Sequence, residues 1–160
     1  MKVKFKKLNE NAVLPTYATE GSAAMDLYVI TDSAVEIKPG ESKVFDTGLA
    51  VEIPEGYVGL IVGRSGLGFK NRISLANRVG VIDSDYRGEI KVKLSNENFA
   101  RTSATNNSIV SELDKTFTVS NHDRVAQMLI MPVIQAEIEL TDELSDTKRG
   151  VNGFGSTGVK

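Results

Sequence analysis

The chain has no cysteine, no tryptophan, one histidine and four prolines. Each scarcity excludes some chemistry. Without cysteine there is no disulfide, no thiolate nucleophile and no cysteine-based zinc site. That fits a reducing compartment, and the expected location is cytoplasmic. The single histidine, His122, is the only residue a Ser-His-Asp triad could use, and it rules out any site with two histidine ligands. It lies in "VSNHDR", a polar turn that offers no catalytic partner, and reads as a surface turn residue. An enzyme built from this set would use a carboxylate as base and water as nucleophile. Excess charge is also lacking. Nineteen Lys and Arg against 21 Asp and Glu leave a formal net charge of −2, where a nucleic-acid binder would be basic overall. Net charge says little about one cleft, so a local phosphate site stays open. No apolar run approaches a membrane span, and the start, "MKVKFKKLNE", lacks the apolar stretch of a signal peptide.

What is present is a chain of 160 residues patterned for strands. Its length fits one domain with a real core. Short segments alternate with period two: "KVKF", "MDLYVI", "AVEI", "KVFDTGLAVEI", "GYVGLIV", "GEIKVKL", "KTFTV", "VAQMLIMPVI" and "AEIEL". Turn signals such as "KPGE" and "IPEGY" separate them. Many short strands imply an all-β sandwich or barrel. The best candidate for one short helix is "FKNRISLA", residues 69 to 76.

Two segments break the pattern. Residues 95 to 115, extended to 122 by the polar turn, form a long polar excursion, and such loops are often functional. The tail 147–160, "TKRGVNGFGSTGVK", is rich in glycine, with one aromatic and three cations. It reads either as a frayed terminus or as a segment that folds over a ligand. The expected organisation is a single β domain over 1–146 followed by this flexible tail.

Five motifs contain chemistry. "GVIDSDYRGE", residues 80 to 89, sets Asp83 and Asp85 about a serine before Tyr86. A hairpin tip supplies such residues for turn geometry alone. The alternative is a reactive carboxylate on a rigid hairpin. "GRSGLG", residues 63 to 68, joins Arg64 and Ser65 to three glycines. Glycine lets a backbone approach an anion, and arginine offers a planar fork for phosphate. By itself it also reads as a plain turn. "AAMDLY" places Asp26 in an apolar strand, where a charge must be paired or solvated. It is either satisfied by backbone or arginine, or it faces a hydrated metal. Gln127 interrupts the apolar strand in "DRVAQMLIMPV" as a core polar group or as an amide aimed at phosphate or water. "RGVNGFGSTG" supplies Arg149 and Phe154.

In their order and spacing these five motifs resemble those of the trimeric dUTP pyrophosphatases, the dUTPases. They run from about residue 23 to 158, and "GVIDSDYRG" and "RGVNGFGSTG" are the most specific. Gly63 stands where the family often has proline, and Ala24 where it often has glycine. The resemblance implies a distorted jelly-roll or β-barrel with at most one short helix, assembled as a homotrimer with intersubunit active sites. It implies Mg²⁺-dependent hydrolysis of dUTP to dUMP and pyrophosphate, which limits uracil incorporation into DNA and supplies dUMP for dTMP synthesis.

Roles carried over by the resemblance follow residue by residue. Asp83 is the general base for a water that attacks the α-phosphorus, and Asp85 shapes the turn. Tyr86 packs on the deoxyribose and excludes a 2′-hydroxyl. The backbone around it, with Asn77 nearby, meets the uracil edge. Arg64 and Arg149 neutralise the phosphates together with Mg²⁺, which Asp26 reaches through a metal-bound water. Ser65 and Gly66 contact the phosphate chain, and Gln127 reaches the α-phosphate or the attacking water. Phe154 stacks on uracil, while Gly155, Ser156 and Thr157 wrap the terminal phosphate. A dCTP deaminase shares the fold, but that family's catalytic glutamate motif is not evident. Some phage members also bind a host-encoded repressor, a second role that the excursion leaves open.

Overall fold

The computed structural model describes residues 1–98 and 115–153. Eleven strands and one helix follow in order: β1 (Lys4–Lys7), β2 (Thr16–Tyr17), β3 (Met25–Tyr28), β4 (Val35–Ile37), β5 (Ser42–Glu52), β6 (Tyr57–Gly63), α1 (Ser65–Asn71), β7 (Ile73–Leu75), β8 (Val79–Ile82), β9 (Glu89–Asn96), β10 (Phe117–Val119) and β11 (Arg124–Pro132). They form a four-stranded sheet β1-β5-β9-β7, a five-stranded sheet β2-β3-β11-β6-β8 and a small pair β10-β4. The architecture is all-β, with every strand pairing among the described residues antiparallel.

Alternation sets which face is buried. In β9, Ile90, Val92 and Leu94 point inward between exposed lysines. They meet Leu27, Val29, Phe45, Ile61, Ile73 and Met128 in one core. The inward series ends on a polar residue, Asn96. Its amide donates to the carbonyls of Ile37 (2.8 Å) and Lys115 (2.8 Å), which ties the small β10-β4 pair to the main sheet. A buried amide is tolerated because it is satisfied in this way. Gly59 lets β6 pass close to the core, since a Cβ there would overlap Met128.

Three expectations are corrected. The helix occupies Ser65–Asn71, not 69 to 76, and "ISL" is strand β7. Its end is set by Arg72 in the left-handed region (φ 55°), where glycine is the usual signal. Second, "AEIEL" is not a strand. Residues 133–142 are exposed throughout, with Ile134, Ile138 and Leu140 each more than 90% accessible. The segment has the strand pattern but no neighbouring strand among the described residues of its own chain. Third, β8 and β9 do not form a hairpin. β8 pairs with β6 in one sheet, whereas β9 pairs with β5 and β7 in the other. Residues 83 to 88 therefore cross between sheets. Within 95–122, β9 runs on to Asn96 and β10 takes 117–119. Residues 99–114 of that excursion lie outside the described residues.

Candidate active site

Antiparallel register builds the first half of the site. On β3 and β11, Asp26 stands opposite Gln127, and Gln127 stands opposite Val62 of β6. Two residues past Val62, Arg64 follows the end of that strand. Asp26 is buried, with its side chain 3% exposed. Its Oδ1 accepts from the Gln127 amide (3.1 Å) and pairs with Arg64 Nε (3.3 Å), while Oδ2 pairs with Arg124 Nη1 (3.1 Å). Arg64 Nη1 also donates to the carbonyl of Arg124 (2.8 Å). A buried carboxylate costs several kcal/mol or so unless it is paired and hydrogen-bonded, and here it is both. Two guanidinium groups on one carboxylate leave this end of the sheet with a surplus positive charge. Ser65 and Gly66 follow directly, at the exposed start of α1.

Arg124 carries no mark in the sequence. In a regular strand, positions 124 and 127 face opposite sides. A register shift between Arg124 and Ala126 against β3 puts both side chains on the same carboxylate. No sequence signal points to that irregularity.

The second half lies between the sheets. Among the described residues β8 is an edge strand, paired only with β6, so its other backbone edge faces a slot rather than another described strand. Two adjoining cavities fill that slot. One, of 330 Å³, is lined by Asn77, Gly80, Val81, Ile82 and Lys91, among others. The other, of 290 Å³, is lined by Val81, Ile82, Asp83, Tyr86, Glu89 and Lys91. Asp83 is the first residue after β8, exposed, and its carbonyl accepts from Tyr86 N–H (3.2 Å) in a tight turn. The Tyr86 hydroxyl donates to the Glu89 carbonyl (3.0 Å), and a Cβ on Gly88 would overlap the Tyr86 ring. Asp85 is exposed as well, so neither carboxylate of "DSD" is desolvated.

Lys91, a second residue that the sequence does not single out, lines both cavities. Hydrogen bonds to Asp46 (2.6 Å) and then to Glu89 (3.0 Å) push its pKa up to about 12. It therefore stays charged across the neutral range, as a fixed cation in the slot wall. Its place on an alternating strand among other surface lysines hides this role in the sequence.

The two halves adjoin at the Asn77 end of the slot, where Arg64 and Ser65 share a cavity with Ser74 and Arg78, but Asp83 lies at the far end. Asp83, Tyr86 and Asn77 share the slot, and Asp26, Arg64, Arg124 and Gln127 share the carboxylate cluster. Arg149 lies in the tail, far along the chain from both, with its Nε donating to the Asn152 carbonyl (3.0 Å). Phe154, Gly155, Ser156 and Thr157 lie outside the described residues. Among the described residues no group of three or more His, Asp or Glu side chains is placed to hold a metal ion, and no helix is long and apolar enough to cross a membrane.

Cations gathered on a buried carboxylate, with a separate slot under an unpaired strand edge and a carboxylate at its mouth, are the equipment of a nucleotide hydrolase. The comparisons with known proteins make the class specific. The dUTPase family model matches residues 10–158. The chain is 49% identical over 158 residues to a deoxyuridine 5′-triphosphate nucleotidohydrolase of Nautilia profundicola, covering 99% of both chains. It is 44% identical to the enzyme of the same name from a Hydrogenobaculum species, covering all of both. Among solved structures, a mutant Staphylococcus bacteriophage 80alpha dUTPase with dUpNHpp superposes with a TM-score of 0.82 at 29% identity, covering 99% of each chain. A mutant dUTPase from phage phi11 of S. aureus, described with a structural Mg(II) ion, gives 0.75 at 28% identity, covering 91% of this chain and 100% of that one. The chain belongs to the dUTPase family and is a dUTP diphosphatase.

Proposed function

We propose that the enzyme cleaves dUTP to dUMP and pyrophosphate by attack of an Asp83-activated water on the α-phosphorus, at sites shared between the subunits of a homotrimer. The observation that carries this reading is the separation of Asp83 from Arg64. Ile82 pairs with Gly59, so Asp83 stands beside Val58 near the start of β6, while Arg64 lies just past the other end. Six residues of strand span about 20 Å. A base and a phosphate cation must both lie within a few ångströms of one phosphorus. That separation supports a site that takes Asp83 from one chain and Arg64 from its neighbour.

Two surfaces support the assembly. The side chains of Val58, Leu60 and Val62 on β6, Val79 and Val81 on β8, and Leu129 and Met131 on β11 share one face of the five-stranded sheet. Val79, Val81 and Met131 are 43–61% exposed. The arm after β11 alternates Ile134, Ala136, Ile138 and Leu140 with polar residues. Unpaired, it lacks only a sheet edge, which a second copy would offer.

The base is read by the free edge of β8 with Asn77. Backbone donors and acceptors distinguish uracil from cytosine, because a mispaired buried edge is strongly rejected. Tyr86, fixed by its bond to Glu89, packs on the deoxyribose. Asp83 orients water and takes its proton, which contributes on the order of 10²–10⁴-fold. Charge stabilisation must do more, and Arg64, Arg149 and the Gln127 amide provide it, with Ser65 and Gly66 on the phosphate chain. Phe154 stacks on the base while Gly155, Ser156 and Thr157 wrap the terminal phosphate.

The donor set fits Mg²⁺ in one way only. Asp26 is a hard oxygen donor, but its oxygens are already shared by two arginines and an amide. A cation held mainly by substrate phosphates and water, with Asp26 reaching it through a water, agrees with that. When bound, Mg²⁺ supplies charge neutralisation on the triphosphate. The reading places the enzyme in the cytoplasm, where its cysteine-free composition is at home. A repressor partner, a second role for a phage-type member, would fall on the 95–122 excursion. Pyrophosphate release from dUTP, against dTTP, dCTP and UTP and with or without chelator, tests the activity. Mass in solution tests the trimer.

A further inference from the structure

A polar group outside both sets of assigned residues joins them: its Ser74 and Arg78 line one cavity with Arg64 and Ser65, and Arg78 directly follows Asn77 of the slot. Glu97 Oε1 accepts from Ser74 Oγ (2.5 Å) and from Arg78 Nη1 (2.5 Å), and Arg78 Nη1 also reaches Ser74 Oγ (3.1 Å). These three residues come from β7, from the β7–β8 turn and from the end of β9. Arg78 follows Asn77 directly and holds a left-handed backbone (φ 62°), which any residue with a Cβ disfavours. Its N–H donates to the Leu75 carbonyl (3.0 Å), and the next N–H, of Val79, donates to the Asn77 carbonyl (2.6 Å). The turn that presents Asn77 to the 330 Å³ cavity is thus bent against local preference at the residue Glu97 grips.

Glu97 is itself anchored. Its N–H donates to the Arg72 carbonyl (2.9 Å) at the end of α1. Its neighbours Asn96 and Asn98 are buried, and the Asn98 amide donates to the Asn71 carbonyl (2.7 Å). The carboxylate therefore stands on a rigid base.

We propose that Glu97 is a positioning residue for uracil recognition: acting through Arg78 and Ser74, it holds the β7–β8 turn in the shape that lets Asn77 face the base. The inference rests on the reading of Asn77 as a base contact. Glycine at position 78 would adopt the turn without strain, but it could not be gripped. Arginine is tolerated here because the side-chain contacts offset its backbone cost.

The test uses the full-length enzyme and dUTP. Glu97→Gln and Arg78→Gly should each raise KM about five- to tenfold, the scale of one lost hydrogen bond at a solvent-accessible site. Their kcat should stay within about twofold, because Asp83 and the cations are untouched. Arg78→Gly should keep its melting temperature, so that a change in KM cannot be ascribed to a weakened fold. Affinity for a non-hydrolysable dUTP analogue should fall by the same factor as KM rises. In an Asn77→Ala background, Glu97→Gln should add nothing further. An unchanged KM in both single variants overturns the proposal. So does a kcat loss that tracks the folded fraction, or an added KM effect in the Asn77→Ala background. If the functional reading itself were wrong, the wild-type protein would release no pyrophosphate from dUTP. If only this inference were wrong, the wild type would turn over and the Glu97 and Arg78 variants would match it.

Discussion

Asp83 stands beside Val58 near the start of strand β6 and Arg64 just past its end, about 20 Å apart along the sheet, whereas the proposed chemistry needs both at one phosphate. Subunit exchange should reveal the arrangement. Asp83→Asn and Gln127→Ala homotrimers should each be nearly inactive. After the two are unfolded together and refolded, the proposed shared-site arrangement gives every mixed trimer one site with both halves intact. Random mixing should then restore about a quarter of wild-type activity, from the arithmetic of a three-site ring. No recovery, with mixed trimers demonstrated by mass, would place both halves of each site in the same chain.

Asp83 and Asp85 are both exposed and close in sequence, yet they differ in position. Asp83 joins the slot wall, whereas Asp85 lies outside the 290 Å³ cavity. Asp83→Asn should cut kcat by about 10²–10⁴-fold while the non-hydrolysable analogue still binds. Asp85→Asn should cost far less. Equal losses, or a larger loss at Asp85, would reverse the assignment of the base.

Sugar choice should depend on how firmly Tyr86 is held. Its hydroxyl is fixed on Glu89, and its ring lies where a Gly88 side chain would be. Gly88→Ala must displace the ring. The ratio of kcat/KM for dUTP over UTP should fall in Gly88→Ala and fall further in Tyr86→Ala. If Gly88→Ala keeps the wild-type ratio while Tyr86→Ala loses it, the ring acts without that packing. If both keep it, discrimination against the 2′-hydroxyl lies elsewhere.

The strands are legible in the sequence because period-two burial is local: "GEIKVKL" and "VAQMLIMPV" record their own inward faces. What cannot be read there is set by distant partners. "IDSDY" between two strands suggests a hairpin, and only the sheet order shows that β8 and β9 part company. "AEIEL" has the correct alternation for a strand, but no described residue of its own chain pairs with it. The helix begins earlier than its pattern suggests because Gly66 and Gly68 depress propensity where it starts, and Arg72 ends it without a glycine. Asp26, Arg64 and Gln127 are each ambiguous singly. Register across β3, β11 and β6 is what gathers them, and the irregularity beside Arg124 adds the fourth member.

The tail should be dispensable for assembly and needed for turnover. Residues beyond Asp146 contribute no buried side chain among those described. Ordering a glycine-rich segment costs about 1–2 kcal/mol per residue of backbone entropy, which base stacking and charge-assisted contacts to phosphate would offset. A chain ending at Asp146 should remain trimeric with an unchanged melting temperature, and kcat should fall sharply. Near-normal turnover of dUTP by that trimer would remove Arg149 and Phe154 from the mechanism.

Acid should weaken the fold through Glu97 and Glu52. The Ser74 hydroxyl, followed by Arg78, holds the Glu97 carboxyl below its usual 4.5, and Lys4 does the same for Glu52. Both folded values are depressed. Their contribution is therefore complete above about pH 4.5 and lost as pH falls through the lowered values. Both groups keep substantial solvent access, so each contribution is small and screened by salt. In low salt the melting temperature should fall below pH 4.5 more steeply for wild type than for Glu97→Gln or Glu52→Gln, and the difference should shrink at high salt. At neutral pH the wild type should be the more stable of each pair. Parallel acid limbs for all three proteins would mean that these carboxylates titrate alike in the folded and unfolded chains, and that other groups drive the loss.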